Sequence, residues 1–91
     1  MHNNHTKTVI ITNQRGLHAR AAAKFVQMAE KFTSKITVQH KDIGVCGKSI
    51  LDLLLLAASP GSTIAITADG ADAAQALAAL SDLVEQKFGE E

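Results

Sequence analysis

The sequence predicts an α+β fold: a two-layer open-faced sandwich, with a four-stranded antiparallel sheet carrying three helices on one face. Three observations lead there. Segments of strand period and segments of helix period follow one another as strand, helix, strand, strand, helix, strand, helix. The two consecutive strands flank the short turn His40-Lys41-Asp42 and read as a hairpin, which makes the pairing antiparallel. Ninety-one residues, 46% of them hydrophobic, suffice for a single core and no second one. One layer of helices on one face of the sheet uses that core fully and leaves the other face to water. The chain 1–91 is therefore expected to be one domain, with residues 1–5 a mobile polar tail.

The first strand is expected over Thr6 to Thr12, where Val9, Ile10 and Ile11 supply β-branched bulk. Asn13 to Gly16 is a turn. From Ala19 to Phe32, Ala22, Phe25, Val26 and Ala29 recur at i, i+3, i+4 and i+7, with Arg20, Lys24, Gln27 and Lys31 mostly off that stripe. Burying Phe25 and Val26 stabilises by roughly 1.5–3 kcal/mol each, and Met28 is expected to flank the core. Lys35 to His40 alternates, and Ile43 and Val45 continue the alternation after the turn. Ser49-Ile50-Leu51-Asp52 has the form of a capping box with Asp in the last position, opening a helix from Leu51 to Ala58. Ser59-Pro60-Gly61-Ser62 ends it. Thr63 to Thr67 alternates as the fourth strand. Acidic residues between Asp69 and Asp72 suit the positive start of the last helix, in which Ala73, Leu77, Leu80 and Val84 share a face. Gly89 is its expected stop, with Glu90 and Glu91 fraying beyond it.

The chemistry concentrates in Asn13-Gln14-Arg15-Gly16-Leu17-His18-Ala19-Arg20-Ala21-Ala22-Ala23, where strand passes to helix. Gly16 permits a tight turn because it has no Cβ. His18 falls where the helix begins, and Arg20 falls in its first turn. A helix start presents unpaired N–H groups and partial positive charge, a natural seat for phosphate. That field disfavours further positive charge, and the neutral imidazole is the nucleophile. Arginine adds a planar, permanently charged fork for phosphate oxygens. The reading is a histidine that accepts a phosphoryl group, on Nδ1 or Nε2, and passes it on, with Arg20 stabilising the phosphate.

At these residues the chain resembles a known family. Gly16-Leu17-His18-Ala19-Arg20 is similar to the active-site motif of the HPr proteins, histidine-containing phosphocarriers of the bacterial phosphoenolpyruvate-dependent phosphotransferase system. Gly47-Lys48-Ser49-Ile50-Leu51 resembles the segment around that family's regulatory serine, and the likeness runs from about Thr8 to about Phe88. The resemblance implies the same four-stranded, three-helix sandwich. It implies phosphorylation of His18 by Enzyme I, itself charged from phosphoenolpyruvate, and hand-over to Enzyme IIA domains in sugar uptake. A specialised or nitrogen-related paralogue that signals by phosphorylation state is the second reading. A small α+β module binding a metabolite or protein is a distant third. The protein would be a relay and not an enzyme, would need no cofactor, and is expected to act as a monomer. Ser49, besides capping its helix, would be the target of an HPr serine kinase/phosphorylase. Lys24, Ile50, Leu51 and Leu54 are assigned to the partner surface, since an exposed apolar patch marks one. Two departures from the family stand out. Ala21 replaces the usual proline, giving up rigidity but adding an N–H aimed at the phosphate site, and Asp52 replaces a small residue near Ser49.

Composition closes other routes. Nine basic against nine acidic residues leave no nucleic-acid footprint. The apolar run Leu53 to Ala58 is too short to insert into a membrane. One cysteine, Cys46, allows no internal disulfide, fits a reducing compartment and is expected to be partly buried. The N-terminal residues lack an apolar signal-peptide stretch, so a cytoplasmic protein is expected. The four histidines, His2, His5, His18 and His40, have no metal-site spacing, and no nucleophile and acid stand ready to make His18 a hydrolase base.

Overall fold

The structure, a computed structural model, describes residues 4–90. Its elements are β1 (Asn4–Ile10), α1 (Ala19–Ala29), β2 (Lys35–His40), β3 (Ile43–Cys46), α2 (Ile50–Leu55), β4 (Thr63–Asp69) and α3 (Ala73–Glu85), followed by a single 3₁₀ turn, Lys87–Gly89. The four strands form one antiparallel sheet in the order β1-β4-β2-β3. The expected order and class of elements hold throughout.

Strand period two decides which face is covered. Ile64, Ile66 and Ala68 of β4 and Ile36 and Val38 of β2 point inward and are buried. In register on the opposite face stand Thr6, Thr67, Thr37 and Cys46, one from each strand. The helix stripe of α1 buries Ala22, Phe25, Val26 and Ala29, while Met28 packs against the core from its edge. Ala73, Leu77, Leu80 and Val84 of α3 bury as one face. Phe25 and Phe88 are the largest fully buried side chains.

Boundaries shift where backbone geometry overrides composition. β1 stops at Ile10, but Ile11 stays fully buried, its N–H and C=O paired with Ser62 and Gly61. The strand starts at Asn4, so two residues of the expected tail are structured and residues 1–3 lie outside the described chain. α1 ends at Ala29, since Lys31 and Phe32 bond three residues back and tighten the last turn. α2 runs from Ile50 to Leu55 only; Ala57 takes φ of 51° and breaks it. Ser49 does cap α2, its Oγ accepting the Asp52 N–H at 3.2 Å. The box does not close reciprocally: the Ser49 N–H goes to the Cys46 carbonyl. Asp72 stands at the start of α3 without capping it; its carboxylate reaches back to Thr33 and Ser34. Asp69 belongs to β4. Cys46 is exposed, contrary to the expectation of a partly buried thiol, because it sits on the outward face of edge strand β3.

Candidate functional site

The segment that leaves β1 is bent by a local network. Gly16 has φ of +66°, and a Cβ there would sit 2.7 Å from the Ala58 carbonyl oxygen, so a side chain is excluded on two counts. The Leu17 N–H donates to that same carbonyl at 2.9 Å, and Leu17 is buried. Fully buried Asn13 donates from Nδ2 to the Gly16 carbonyl at 2.8 Å. The turn is thus clamped between its own asparagine and the loop that follows α2.

His18 comes out of this turn as the N-terminal flanking residue of α1, with extended φ and ψ of −89° and −177°. The first helical bond runs from Ala22 N–H to the His18 carbonyl at 2.8 Å. The N–H groups of Ala19, Arg20 and Ala21 consequently lack acceptors within the helix. Arg20 is exposed in that first turn, as expected, and Ala21 is buried.

The imidazole has a partner that the sequence reading placed elsewhere. Glu90 accepts from His18 Nε2 at 2.7 Å through Oε2 and from Asn13 Nδ2 at 3.1 Å through Oε1. The side chains of His18 and Glu90 are each 18% exposed. The expectation that Glu90 frays is therefore wrong; Glu91 lies outside the described residues. What returns the chain to His18 is the turn after α3. Lys87, Phe88 and Gly89 have φ of 59°, 57° and 73° in succession. Two of these are not glycine, a strain on the order of 1–3 kcal/mol each. Buried Phe88 anchors the turn, and Lys24 Nζ donates to the Phe88 carbonyl at 2.8 Å. The hydrogen bond from Asn13, then the one from His18, hold the Glu90 carboxyl below its ordinary range, and Arg20 adds its charge in the same direction. Phe88 beside Gly89 was the available sequence signal, a large apolar anchor next to a left-handed residue.

Beside this pair opens a cleft of about 520 Å³ lined by Thr12, Gln14, Arg15, Arg20, Lys24, Lys87, Gly89 and Glu90. Four cationic side chains against one carboxylate make it a seat for anions. Lys24, assigned to the partner surface, lines this cleft with its ammonium already bound to Phe88.

Ser49 is a separate station at the start of α2. Ile50 and Leu51 are exposed, 41% and 75%, while Leu54 is half-buried against the core. Leu55, one helical turn after Leu51, is 71% exposed and completes the patch; i, i+4 spacing from Leu51 was the signal for it. The loop after α2 carries the Ala58 carbonyl that clamps Gly16 and Leu17, so the two stations are tied through backbone.

Residues 5–86 match the family model described as the PTS HPr component phosphorylation site. The chain is 48% identical to the phosphocarrier protein HPr of Neisseria meningitidis, over 92% of this chain and 94% of that protein. It is 40% identical to the phosphocarrier protein NPr of Shewanella violacea, over 92% of each. Its fold superposes on the crystal structure of HPr-C-His from Thermoanaerobacter tengcongensis with a TM-score of 0.92 and 46% identity, covering 96% and 98% of the two chains. On sequence and fold alike, the chain belongs to the HPr family of phosphocarrier proteins of the phosphotransferase system, which carry phosphoryl groups and are not catalysts.

Proposed function

We propose that His18 accepts a phosphoryl group from Enzyme I and hands it to Enzyme IIA domains in sugar uptake. The observation that carries this is the seat of His18: a half-buried imidazole at the free N–H end of α1, beside a cleft with four cationic side chains. The chemistry selects one ring nitrogen. A carboxylate can only accept, so Nε2 bears the hydrogen that binds Glu90. Nδ1 then holds the lone pair and attacks phosphorus. Arg20 balances the charge that builds on the phosphoryl oxygens as the group arrives and leaves, and the N–H groups of Ala19, Arg20 and Ala21 are preorganised donors for it. The protein works in the cytoplasm as a monomer.

Ile50, Leu51 and Leu55, with Leu54 at their edge and Lys24 across the site, form the docking surface for donor and acceptor domains. Ser49 is the target of a serine kinase/phosphorylase. Sugar uptake is favoured over a regulatory branch by the 48% identity to an HPr. The 40% identity to an NPr favours the second reading, a nitrogen-type signalling protein. The experiment is phosphorylation by Enzyme I and labelled phosphoenolpyruvate, then presentation of the phosphoprotein to purified sugar-type and nitrogen-type IIA domains. Transfer to the sugar-type domain is expected. No label from Enzyme I would refute the carrier role of His18, and transfer to the nitrogen-type domain alone would select the second reading.

A further inference from the structure

The Asn13–Glu90–His18 chain has more to do than hold a ring still. We infer that Glu90 is a positioning residue that keeps a proton on His18 Nε2 through the whole phosphotransfer cycle, and so sets how readily the phosphoryl group leaves. This rests on His18 being the acceptor.

Three features point to it. The Glu90 carboxylate binds Nε2 at 2.7 Å and is itself oriented by Asn13 Nδ2 at 3.1 Å. Asn13 gives both amide hydrogens to Gly16 and Glu90, while its buried Oδ1 has no partner among the described residues. The orientation of this amide is therefore fixed by what it donates to. Two left-handed non-glycine residues, one of them the buried Phe88, and the Lys24 ammonium also serve to bring Glu90 back to the start of α1.

The step balances without moving a proton. Nδ1 attacks phosphorus, the Nδ1–P bond forms, and the bond to the donor breaks with its electron pair staying on the donor. The ring keeps its Nε2 hydrogen and becomes an imidazolium, whose positive N–H now faces the Glu90 carboxylate. On hand-over the Nδ1–P bond breaks, its pair returns to Nδ1, and the leaving group is neutral imidazole. Were Nε2 unprotonated, the leaving group would be an imidazole anion, which departs far less readily. Glu90 thus favours the labile form of the phosphoprotein through a charge-assisted hydrogen bond.

Glu90→Gln separates the two contributions, because its amide oxygen still accepts from Nε2–H but carries no charge; Glu90→Ala removes both. Phe88 is untouched in either variant, and circular dichroism checks that the fold is kept. Imidazole ¹⁵N shifts of the unphosphorylated protein should show the Nε2–H tautomer in the wild type and Glu90→Gln, and a mixture in Glu90→Ala. After phosphorylation by Enzyme I and removal of the donor, the phosphohistidine should last about fivefold longer in mildly alkaline buffer in Glu90→Gln, the step from a charge-assisted to a neutral hydrogen bond, and longer still in Glu90→Ala, which has no acceptor at all. A wild-type ring protonated at Nδ1, or a Glu90→Gln lifetime unchanged or shortened, would overturn the inference. Should Enzyme I leave the wild type unlabelled, the carrier role falls while the ¹⁵N shifts still decide whether Glu90 holds the proton.

Discussion

Helix α3 sends one carboxylate from each of its flanks to opposite ends of α1, and the two ties do different things. Asp72, at the start of α3, accepts from the Thr33 and Ser34 N–H groups at 2.8 and 3.0 Å and from both their hydroxyls, just beyond the end of α1. Glu90, past the end of α3, reaches the His18 imidazole at the start of α1. Both carboxyls are held below their ordinary range by hydrogen bonds; for Asp72 the Ser34 hydroxyl leads and the value reaches about 2. The partners decide the difference. Every donor to Asp72 is an uncharged N–H or hydroxyl of the segment after α1, and neither Thr33 nor Ser34 lines the cationic cleft, so that tie is read as structural. One donor to Glu90 is the imidazole proposed as phosphoryl acceptor, beside a cationic cleft, so on that reading the same kind of bond acts on reactivity. A lowered carboxyl alone does not mark a site; its partner does.

The strongest way to break this contrast is to remove the proposed acceptor. His18→Ala should abolish labelling by Enzyme I and leave circular dichroism and thermal midpoint close to wild type, because His18 lies at a helix end outside the core. The wild-type label should be labile to acid and stable to alkali, as a phosphohistidine is. Label persisting on the variant would move the acceptor elsewhere.

Arg20→Ala comes next. Removing one preorganised charge from the transition state should slow transfer by about 10²–10³-fold, or roughly 2.7–4 kcal/mol. Arg20→Lys should restore only part of this, since lysine lacks the fork. Stopped-flow transfer from phosphorylated Enzyme I measures it, and equal rates in all three proteins would take Arg20 out of the site.

Asp72 should show the opposite profile, with stability moved and transfer kept. Its carboxyl is depressed in the fold, so the stability it contributes is complete above the unfolded value near pH 4 and is lost as pH falls toward 2. Asp72→Asn should lower the thermal midpoint by several degrees at pH 7, lose less on going from pH 4 to pH 2, and transfer phosphate at the wild-type rate. Thermal melts across that range decide it. A variant whose acid sensitivity matches the wild type would show that other carboxylates govern that limb.

The sequence revealed one of these two regions far better than the other. The turn from Asn13 through Gly16, the start of α1 at His18 and the stripe of Phe25 and Val26 are local, carried by residues within one turn or one helix, and periodicity reads them. Glu90 meets His18 across 72 positions, through three left-handed residues of which only Gly89 advertises that conformation. Nothing local states where such a turn will lead. Asp72 is a milder case: its place before a helix suggested a role at the dipole, but the hydroxyls and N–H groups of Thr33 and Ser34 outcompete it. For Cys46 the information was present. Alternation that turns Val45 inward turns Cys46 outward, and the general tendency of cysteine to bury was the wrong guide on an edge strand.

The smallest expected effect concerns a third carboxylate, Asp52, which tests what such a group does beside a hydroxyl that phosphorylation would charge. Asp52 gives Ser49 its backbone N–H and not its side chain, so its carboxylate is left in the first turn of α2 as a bare negative charge near the serine. A phosphate on Ser49, carrying about −1.5 to −2, would be favoured by the helix start and opposed by Asp52. Asp52→Asn removes the charge at nearly constant shape and leaves the N–H that caps the helix. It should therefore be phosphorylated by an HPr serine kinase about two- to fivefold faster than wild type at low salt, a through-space repulsion of roughly 0.5–1 kcal/mol. Because both groups are at the surface end of α2, the gap should narrow as ionic strength rises and the Debye length shrinks from about 30 Å at 0.01 M to about 8 Å at 0.15 M. Parallel kinase assays at those two salt concentrations measure it. Equal rates at low salt would mean that the repulsion is already screened by water, and a gap that persists at high salt would point to direct contact between Asp52 and the kinase instead.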